Sequence, residues 1–396
     1  PQGRTAASAA SRATRRMASV GIPAGATTFA DTSRGRCART LWQSWWVVSG
    51  SDNDVVNASF RPPRGLGNGH LQSVRNRVFP RTYDLDAVSY GRTILVPTDD
   101  DSGDQLVVNL HSLPAGGRGM VLLVHGLGGS AESVYIRASA FALLRAGFNV
   151  ARVDLRCAGA STQTSTLTYH AGKTDDLRAV LRSLTVRREA LVEDSQPVLA
   201  VMGFSLGGAM TIKLLGEPLE GLPVAAGVAV SAPLDLVVGA EHLKRSAFGV
   251  YERAVLRGLL RDVRTPAPDG APRLTPTEEA AISRARGLPD FDDALTAPRH
   301  GWRDAQEYYE VNSAAPFLSS IRVPTLVIHA LDDPMIPAEP YLAVDWDALE
   351  HAGYVSRAIT PHGGHVGFHE RGNPMPWYAN QAVGFLRQNL PAESAE

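Results

Sequence analysis

Ser205, Asp333 and His365 stand in the chain order that a nucleophile, an orienting acid and a base of acyl chemistry can take. A serine hydroxyl is a weak nucleophile until a base removes its proton, and that base works best when a third group fixes its tautomer. Ser205 lies in Gly203-Phe-Ser-Leu-Gly207, a G-x-S-x-G between an apolar run and a helical one. A sharp strand-to-helix turn needs neighbours without bulk, which Gly203 and Gly207 supply, and it would lift the hydroxyl above the sheet. The start of the following helix presents free N–H groups, so the Leu206 amide is an expected oxyanion donor. His125-Gly-Leu-Gly-Gly129 follows an earlier apolar run and offers the Leu127 amide as the second.

The base is expected at His365, in His362-Gly-Gly-His-Val-Gly-Phe368, where glycines let a loop reach back toward the serine. The acid is expected from His329-Ala-Leu-Asp-Asp-Pro-Met-Ile-Pro337. Asp333 is chosen over the adjacent Asp332 because Pro334 fixes the turn just after it and Pro337 completes an Asp-x-x-x-Pro spacing. Other readings compete. Gly126, Gly128 and Ala131 satisfy a dinucleotide fingerprint, but Asp154 lies 28 residues beyond Gly126, not the ~20 such a site uses. His362, His365 and His369 could be imagined on zinc, yet no cysteine or carboxylate with ligand spacing joins them except Glu370, so no metal and no cofactor is expected. His170, His351 and His369 are read as surface or core histidines.

These residues need a frame, and the hydrophobic pattern supplies one. Ile94–Val96 and Leu106–Leu110, separated by Asp99-Asp-Asp-Ser-Gly103, read as a hairpin. Met120–Val124 is a continuous apolar run, as in a strand buried on both faces, and Glu132–Ala146 carries helical periodicity. Strands Asn149–Leu155, Val198–Met202 and Val224–Val230 alternate with helices Asp175–Leu184 and Gly207–Leu215. Strands resume at Pro324–Ala330 and Tyr354–Ile359, and Trp377–Leu390 closes as a helix. The fold class is therefore α/β, a mostly parallel central sheet with helices on both faces. Residues 56–234 and 322–396 are its two parts, and 235–321, where helical stretches break at Pro and Gly, is an inserted helical cap. The cap is expected to wall the pocket and set acyl-length preference, with Phe248 and Tyr251 in that wall and Tyr308-Tyr309 as wall or core.

Composition narrows the partners. Lys and Arg number 39 against 40 Asp and Glu, so nothing in the charge calls for nucleic acid or an acidic membrane. A small-molecule substrate fits better. Cys37 and Cys157 are read as free thiols in a reducing, cytoplasmic setting. Residues 1–55 read as a disordered Arg/Ser/Ala-rich tail, with seven arginines and one acid among the first forty, and a start at Pro1 with Met17 suits a fragment or an over-extended start. Leu41–Val48 is apolar but far shorter than the ~20 residues of a membrane span, and no transmembrane helix is predicted.

Several segments together resemble the YheT-like, or AB hydrolase 4, family, over roughly residues 60 to 390. They are Gly69-His-Leu-Gln-Ser73, His125–Ser133, Tyr169-His-Ala-Gly172 with Thr174-Asp-Asp-Leu177, Gly203–Gly208, Asp332-Asp-Pro334 and His362–Gly367. In the cap, Phe291-Asp-Asp293 and Tyr308-Tyr309 also look like the family's pattern. The resemblance implies the α/β-hydrolase fold, the triad Ser205, Asp333 and His365, and hydrolysis of short- to medium-chain carboxylic esters through an acyl-enzyme. Two departures stand out: Gly69 where the family usually has proline, and Arg156-Cys-Ala-Gly159 where glycine usually follows the arginine. Acyl transfer or amide cleavage by the same triad is the alternative, followed by a non-enzymatic binding protein on this fold. A dehalogenase is disfavoured, because that chemistry needs a carboxylate nucleophile.

Overall fold

In the computed structural model, residues 60–114, 117–189 and 198–390 are described. The expectations for the N-terminal tail, for Leu41–Val48 and for Cys37 lie outside them. Strands β1 (Tyr90–Pro97), β2 (Gln105–Ser112), β3 (Met120–Val124), β4 (Asn149–Asp154), β5 (Leu199–Phe204), β6 (Val224–Val230), β7 (Thr325–Ala330) and β8 (Val355–Thr360) form one sheet. Their order is β1-β2-β4-β3-β5-β6-β7-β8. The pairs β1–β2 and β2–β4 are antiparallel, and every pair from β4–β3 to β7–β8 is parallel. Parallel neighbours need crossovers, and the helices that make them cover both faces.

The labelled helices are α1 (Gly69–Val78), α2 (Val134–Arg145), α3 (Thr174–Glu189), α4 (Leu206–Gly216), α5 (Leu236–Arg245), α6 (Val250–Arg264), α7 (Pro276–Ile282), α8 (Ala305–Asn312) and α9 (Trp377–Asn389). β3 shows why its run has no polar member. Leu122 and Val124 pack on one face with Ile212 and Leu214 of α4, while Val121 and Leu123 pack on the other with Leu143 of α2 and Leu386 of α9. Residues 235–321 contain helices and no strand, and carry a small core of their own. There Leu256, Leu259, Ile282, Leu288 and Phe291 pack together and lean on Leu127 and Met335. Among the described residues no helix is long and apolar enough to cross a membrane.

Among the elements that differ from the sequence expectation are two helices. Helix α1 was not foreseen, because its periodicity is weak and mostly polar; Asn68 caps it, its side chain accepting the N–H groups of His70 and Leu71. Helix α3 runs five residues past Leu184, to Glu189, through Arg187-Arg-Glu189, which carry no apolar signal in the sequence. Arg156, fully buried, ties the start of α3 to the β1–β2 hairpin: it donates to Asp176 at 2.7 and 2.8 Å, to Asp104 at 3.0 Å and to Asp100 at 2.7 Å.

Candidate active site

Ser205 sits between β5 and α4 with φ 52 and ψ −124. L-residues rarely adopt that conformation, so the surroundings must impose it. They do so by close approach. A Cβ at position 203 would collide with the Gly207 carbonyl and Thr211, one at 207 would lie 2.5 Å from the carbonyls of Val124 and His125, and one at 126 would come 2.8 Å from the Ser205 Cβ. The elbow is thus wedged between its own helix and the end of β3.

The three residues picked from the sequence come together. His365 Nε2 lies 3.0 Å from Ser205 Oγ, and His365 Nδ1 lies 2.9 Å from Asp333 Oδ2. An ionised carboxylate only accepts, so Nδ1–H donates to Asp333 and Nε2 is left to accept the serine O–H. Asp333 Oδ1 also accepts the N–H groups of Met335 and Ile336, at 2.8 and 3.0 Å. Burial pushes this carboxyl up, but His365 and the Ile336 amide outweigh it and hold its pKa below the ordinary value. Asp332 does something else. It accepts the Gly364 N–H at 2.9 Å and meets His362 Nδ1 at 3.2 Å, bracing the loop that carries His365.

Leu127 and Leu206 line the same cavity as Ser205 and His365. The Gly126 N–H donates to the Tyr135 hydroxyl at 3.0 Å and the Gly128 N–H to the Tyr169 hydroxyl at 2.7 Å. Both neighbours of the Leu127 amide are therefore occupied. No partner takes the Leu127 amide itself among the described residues. His125 steadies this loop from below: its Nδ1 donates to the Gly126 carbonyl at 2.8 Å and its Nε2 accepts the Leu155 N–H at 3.1 Å.

The loop around His365 is held by residues that the sequence reading did not single out as functional. Gly364 and Val366, on either side of His365, have φ of 61 and 53, so the loop cannot hold its shape unaided. Ser73 Oγ accepts the His365 N–H at 2.7 Å and donates to the Gly69 carbonyl at 2.7 Å. Gln72, fully buried, bonds the backbone of His369 and Leu66. The available signal was Gly69-His-Leu-Gln-Ser73, which reads as a polar turn until its partners are known. Gly69 itself approaches the Asp332 carbonyl so closely that a Cβ would collide, a contact the family's usual proline would not fit here.

The cavity measures about 310 Å³, within the range of small-molecule sites. Leu243, Val255, Leu259, Leu288 and Phe291 of the inserted segment form an apolar wall. Two residues expected in that wall are not there. Phe248 is 94% exposed, in a turn where Ala247, Phe248 and Gly249 all have positive φ, and Tyr251 turns away to meet His70 Nδ1 at 2.9 Å. Phe248 lies at the solvent edge of the α5–α6 turn and Tyr251 is half-buried against Leu243 and its neighbours, so an aromatic residue type does not by itself report a place in the wall. Tyr308 and Tyr309 are at once buried and part of the lining. Cys157, in the departing Arg156-Cys-Ala-Gly159 loop, keeps a left-handed φ of 55 and also lines the cavity. Its thiol donates to the Asp262 carbonyl at 3.3 Å, and burial pushes its pKa up to about 11.

The dinucleotide reading finds little support in this geometry. Asp154 spends its carboxylate on the N–H groups of Ala131 and Ala160, at 2.6 and 3.1 Å, rather than facing an open crevice. Among the described residues no three His, Cys, Asp or Glu side chains gather as metal ligands.

The sequence profile described as alpha/beta hydrolase fold matches residues 119–372. The chain is 33% identical over 346 residues to the Escherichia coli (strain K12) protein named "Putative esterase YheT", covering 85% of this chain and 96% of that one. It is 29% identical over 273 residues to the monoacylglycerol lipase of Saccharomyces cerevisiae, covering 68% of this chain and 59% of that one. Among solved structures, an esterase of Pyrococcus furiosus shares the fold with a TM-score of 0.51 at 18% identity, covering 79% of this chain and 99% of that one.

Proposed function

We propose, from the premise that this chain belongs to the alpha/beta hydrolase fold family and within it to the YheT-like members, that it is a serine-dependent carboxylic ester hydrolase. One observation carries the reading: Ser205, His365 and Asp333 are linked in series by hydrogen bonds of 3.0 and 2.9 Å, with Ser205 and His365 lining a mainly apolar cavity. His365 takes the Ser205 proton as the hydroxyl attacks the ester carbonyl, and Asp333 stabilises the imidazolium that forms. The tetrahedral oxyanion accepts hydrogen bonds from the Leu127 and Leu206 amides. His365 then protonates the departing alcohol, leaving an acyl group on Ser205. A water, deprotonated by His365, attacks this acyl-enzyme; as the acyl–Oγ bond breaks, His365 returns the proton to Ser205 Oγ and the acid is released. The apolar wall suits short- to medium-chain acyl groups.

The test is turnover of nitrophenyl esters graded by acyl length, combined with labelling by a fluorophosphonate. Wild type is expected to hydrolyse the shorter esters and to take the label, and Ser205→Ala to lose both while melting at an unchanged temperature. Retained labelling in Ser205→Ala would remove this serine as the nucleophile.

A further inference from the structure

The turn after β3 closes on itself: the Gly129 N–H donates to the Gly126 carbonyl at 3.0 Å, with Gly128 at φ 67 in the corner. Two tyrosine hydroxyls that take no part in the steps described above hold it from outside. Tyr135, in the first turn of α2, accepts the Gly126 N–H at 3.0 Å, and Tyr169, between β4 and α3, accepts the Gly128 N–H at 2.7 Å. The Leu127 N–H between them has no partner among the described residues.

A peptide group is planar, so the direction of an N–H follows that of the carbonyl in its own plane and of the planes on either side. The Leu127 N–H shares its plane with the Gly126 carbonyl, which accepts from the Gly129 N–H and from His125 Nδ1 at 2.8 Å. Tyr135 holds the plane before it, and Tyr169 the plane after it. The fit is close. A Cβ at position 129 would come 2.6 Å from Tyr135 Oη, and one at 126 would come 2.8 Å from Ser205 Cβ, so the turn cannot slide between the phenol and the serine. The Tyr135 ring packs on Phe204, the residue before Ser205, with centroids 5.1 Å apart, and the Tyr169 ring meets the His125 ring edge-on at 5.8 Å. Burial raises the pKa of both phenols, so they stay protonated and put no negative charge beside the turn.

We infer that Tyr135 and Tyr169 are positioning residues for the oxyanion: through the Gly126 and Gly128 amides they aim the Leu127 N–H at the carbonyl oxygen that becomes negative when Ser205 adds to the ester. The inference rests on the ester hydrolase reading of the same cavity. Each tyrosine acts through the turn and not on the reacting atoms. Deleting an oxyanion donor costs about 10²–10³ in kcat. A donor that is only misdirected should cost less, about tenfold for each hydroxyl removed.

Both tyrosines also line the cavity, so a fall in activity alone does not separate aim from shape. The experiment therefore measures kcat on a short nitrophenyl ester, and inhibition by a trifluoromethyl ketone with a heptyl chain and by the matching methyl ketone, in wild type, Tyr135→Phe and Tyr169→Phe. Ser205 adds to the trifluoromethyl ketone: the Oγ–carbon bond forms, the carbonyl pair moves to oxygen and the serine proton passes to His365. Its inhibition constant thus reads the oxyanion site, whereas the methyl ketone stays a ketone and reads the walls. In each variant kcat should fall about tenfold, the trifluoromethyl ketone constant should rise by a similar factor, and the methyl ketone constant should stay within about twofold of wild type. Each substitution removes one oxygen and keeps the ring, and the tyrosines stand on different elements, so misfolding of one variant leaves the other to decide. A trifluoromethyl ketone constant that does not rise, or rises only as much as that of the methyl ketone, overturns the inference while wild type still takes the fluorophosphonate label. Wild type that neither takes the label nor hydrolyses any ester removes the underlying reading as well.

Discussion

Gln72 and His369 exchange hydrogen bonds in both directions: the glutamine Nε2 donates to the histidine carbonyl at 3.2 Å, and its Oε1 accepts the histidine N–H at 2.7 Å. One residue on, Ser73 accepts the N–H of His365. Helix α1 therefore works as a clamp on the loop that carries the proposed base. Ser73→Ala should lower kcat about tenfold, because it leaves the His365 N–H without its acceptor at the edge of the cavity that Ser73 also lines. Gln72→Leu leaves buried backbone groups unpaired and should destabilise the fold by about 2–4 kcal/mol. Steady-state kinetics and thermal melts read these separately. A Ser73→Ala enzyme with unchanged kcat would show that the clamp does not bear on the base.

The two adjacent aspartates should separate by orders of magnitude. Asp333→Asn replaces the group that accepts the hydrogen bond from His365 Nδ1–H and should lower kcat by on the order of 10³ to 10⁴. Asp332→Asn alters only the bracing of Gly364 and His362 and should cost about tenfold or less. Measuring kcat for both decides the matter, and the reverse order would move the acid one residue back.

Asp292 gives a pH signature of its own. Its folded-state pKa, about 6, is above the ~3.9 of an unfolded aspartate. The folded protein thus holds this proton more tightly, so the contribution is fully favourable below the unfolded value and is lost as pH rises through about 6. Asp292→Asn does not titrate. The melting temperature of the variant, relative to wild type, should become more favourable as pH rises from about 4 to about 7. A difference that stays flat over that window would mean Asp292 titrates normally.

Acyl-length preference should follow the wall, not the exposed turn. Leu259→Trp narrows the apolar side and should cut activity on longer acyl chains by about tenfold relative to acetate esters. Phe248→Ala, at a side chain 94% exposed, should leave the profile unchanged. A shift in the Phe248→Ala profile would show that the turn folds inward over bound substrate.

The sheet was legible because buried parallel strands write themselves as unbroken apolar runs; Val224–Val230 was bounded correctly at both ends. The grouping of Ser205, Asp333 and His365 was legible because each lies within two residues of a glycine or proline, as at Gly203, Pro334 and Gly364. Helix α1 was not, since its value lies in long-range hydrogen bonds from Gln72 and Ser73 that leave no periodic trace. Phe248 failed for the opposite reason: an aromatic residue suggests burial, but three successive left-handed residues turn it outward.

The bond between Gln72 and His369 joins positions 297 residues apart. During synthesis that separation becomes a delay. A chain emerging from the ribosome can pair β3 with β5 and form the serine elbow early, yet the histidine loop has no template until α1, made long before, is met by residues made near the end. The proposed nucleophile is thus assembled before its proposed base arrives. Ribosome-bound chains arrested before Gly364 should carry a folded elbow and take no fluorophosphonate label, while chains released past α9 take it at once.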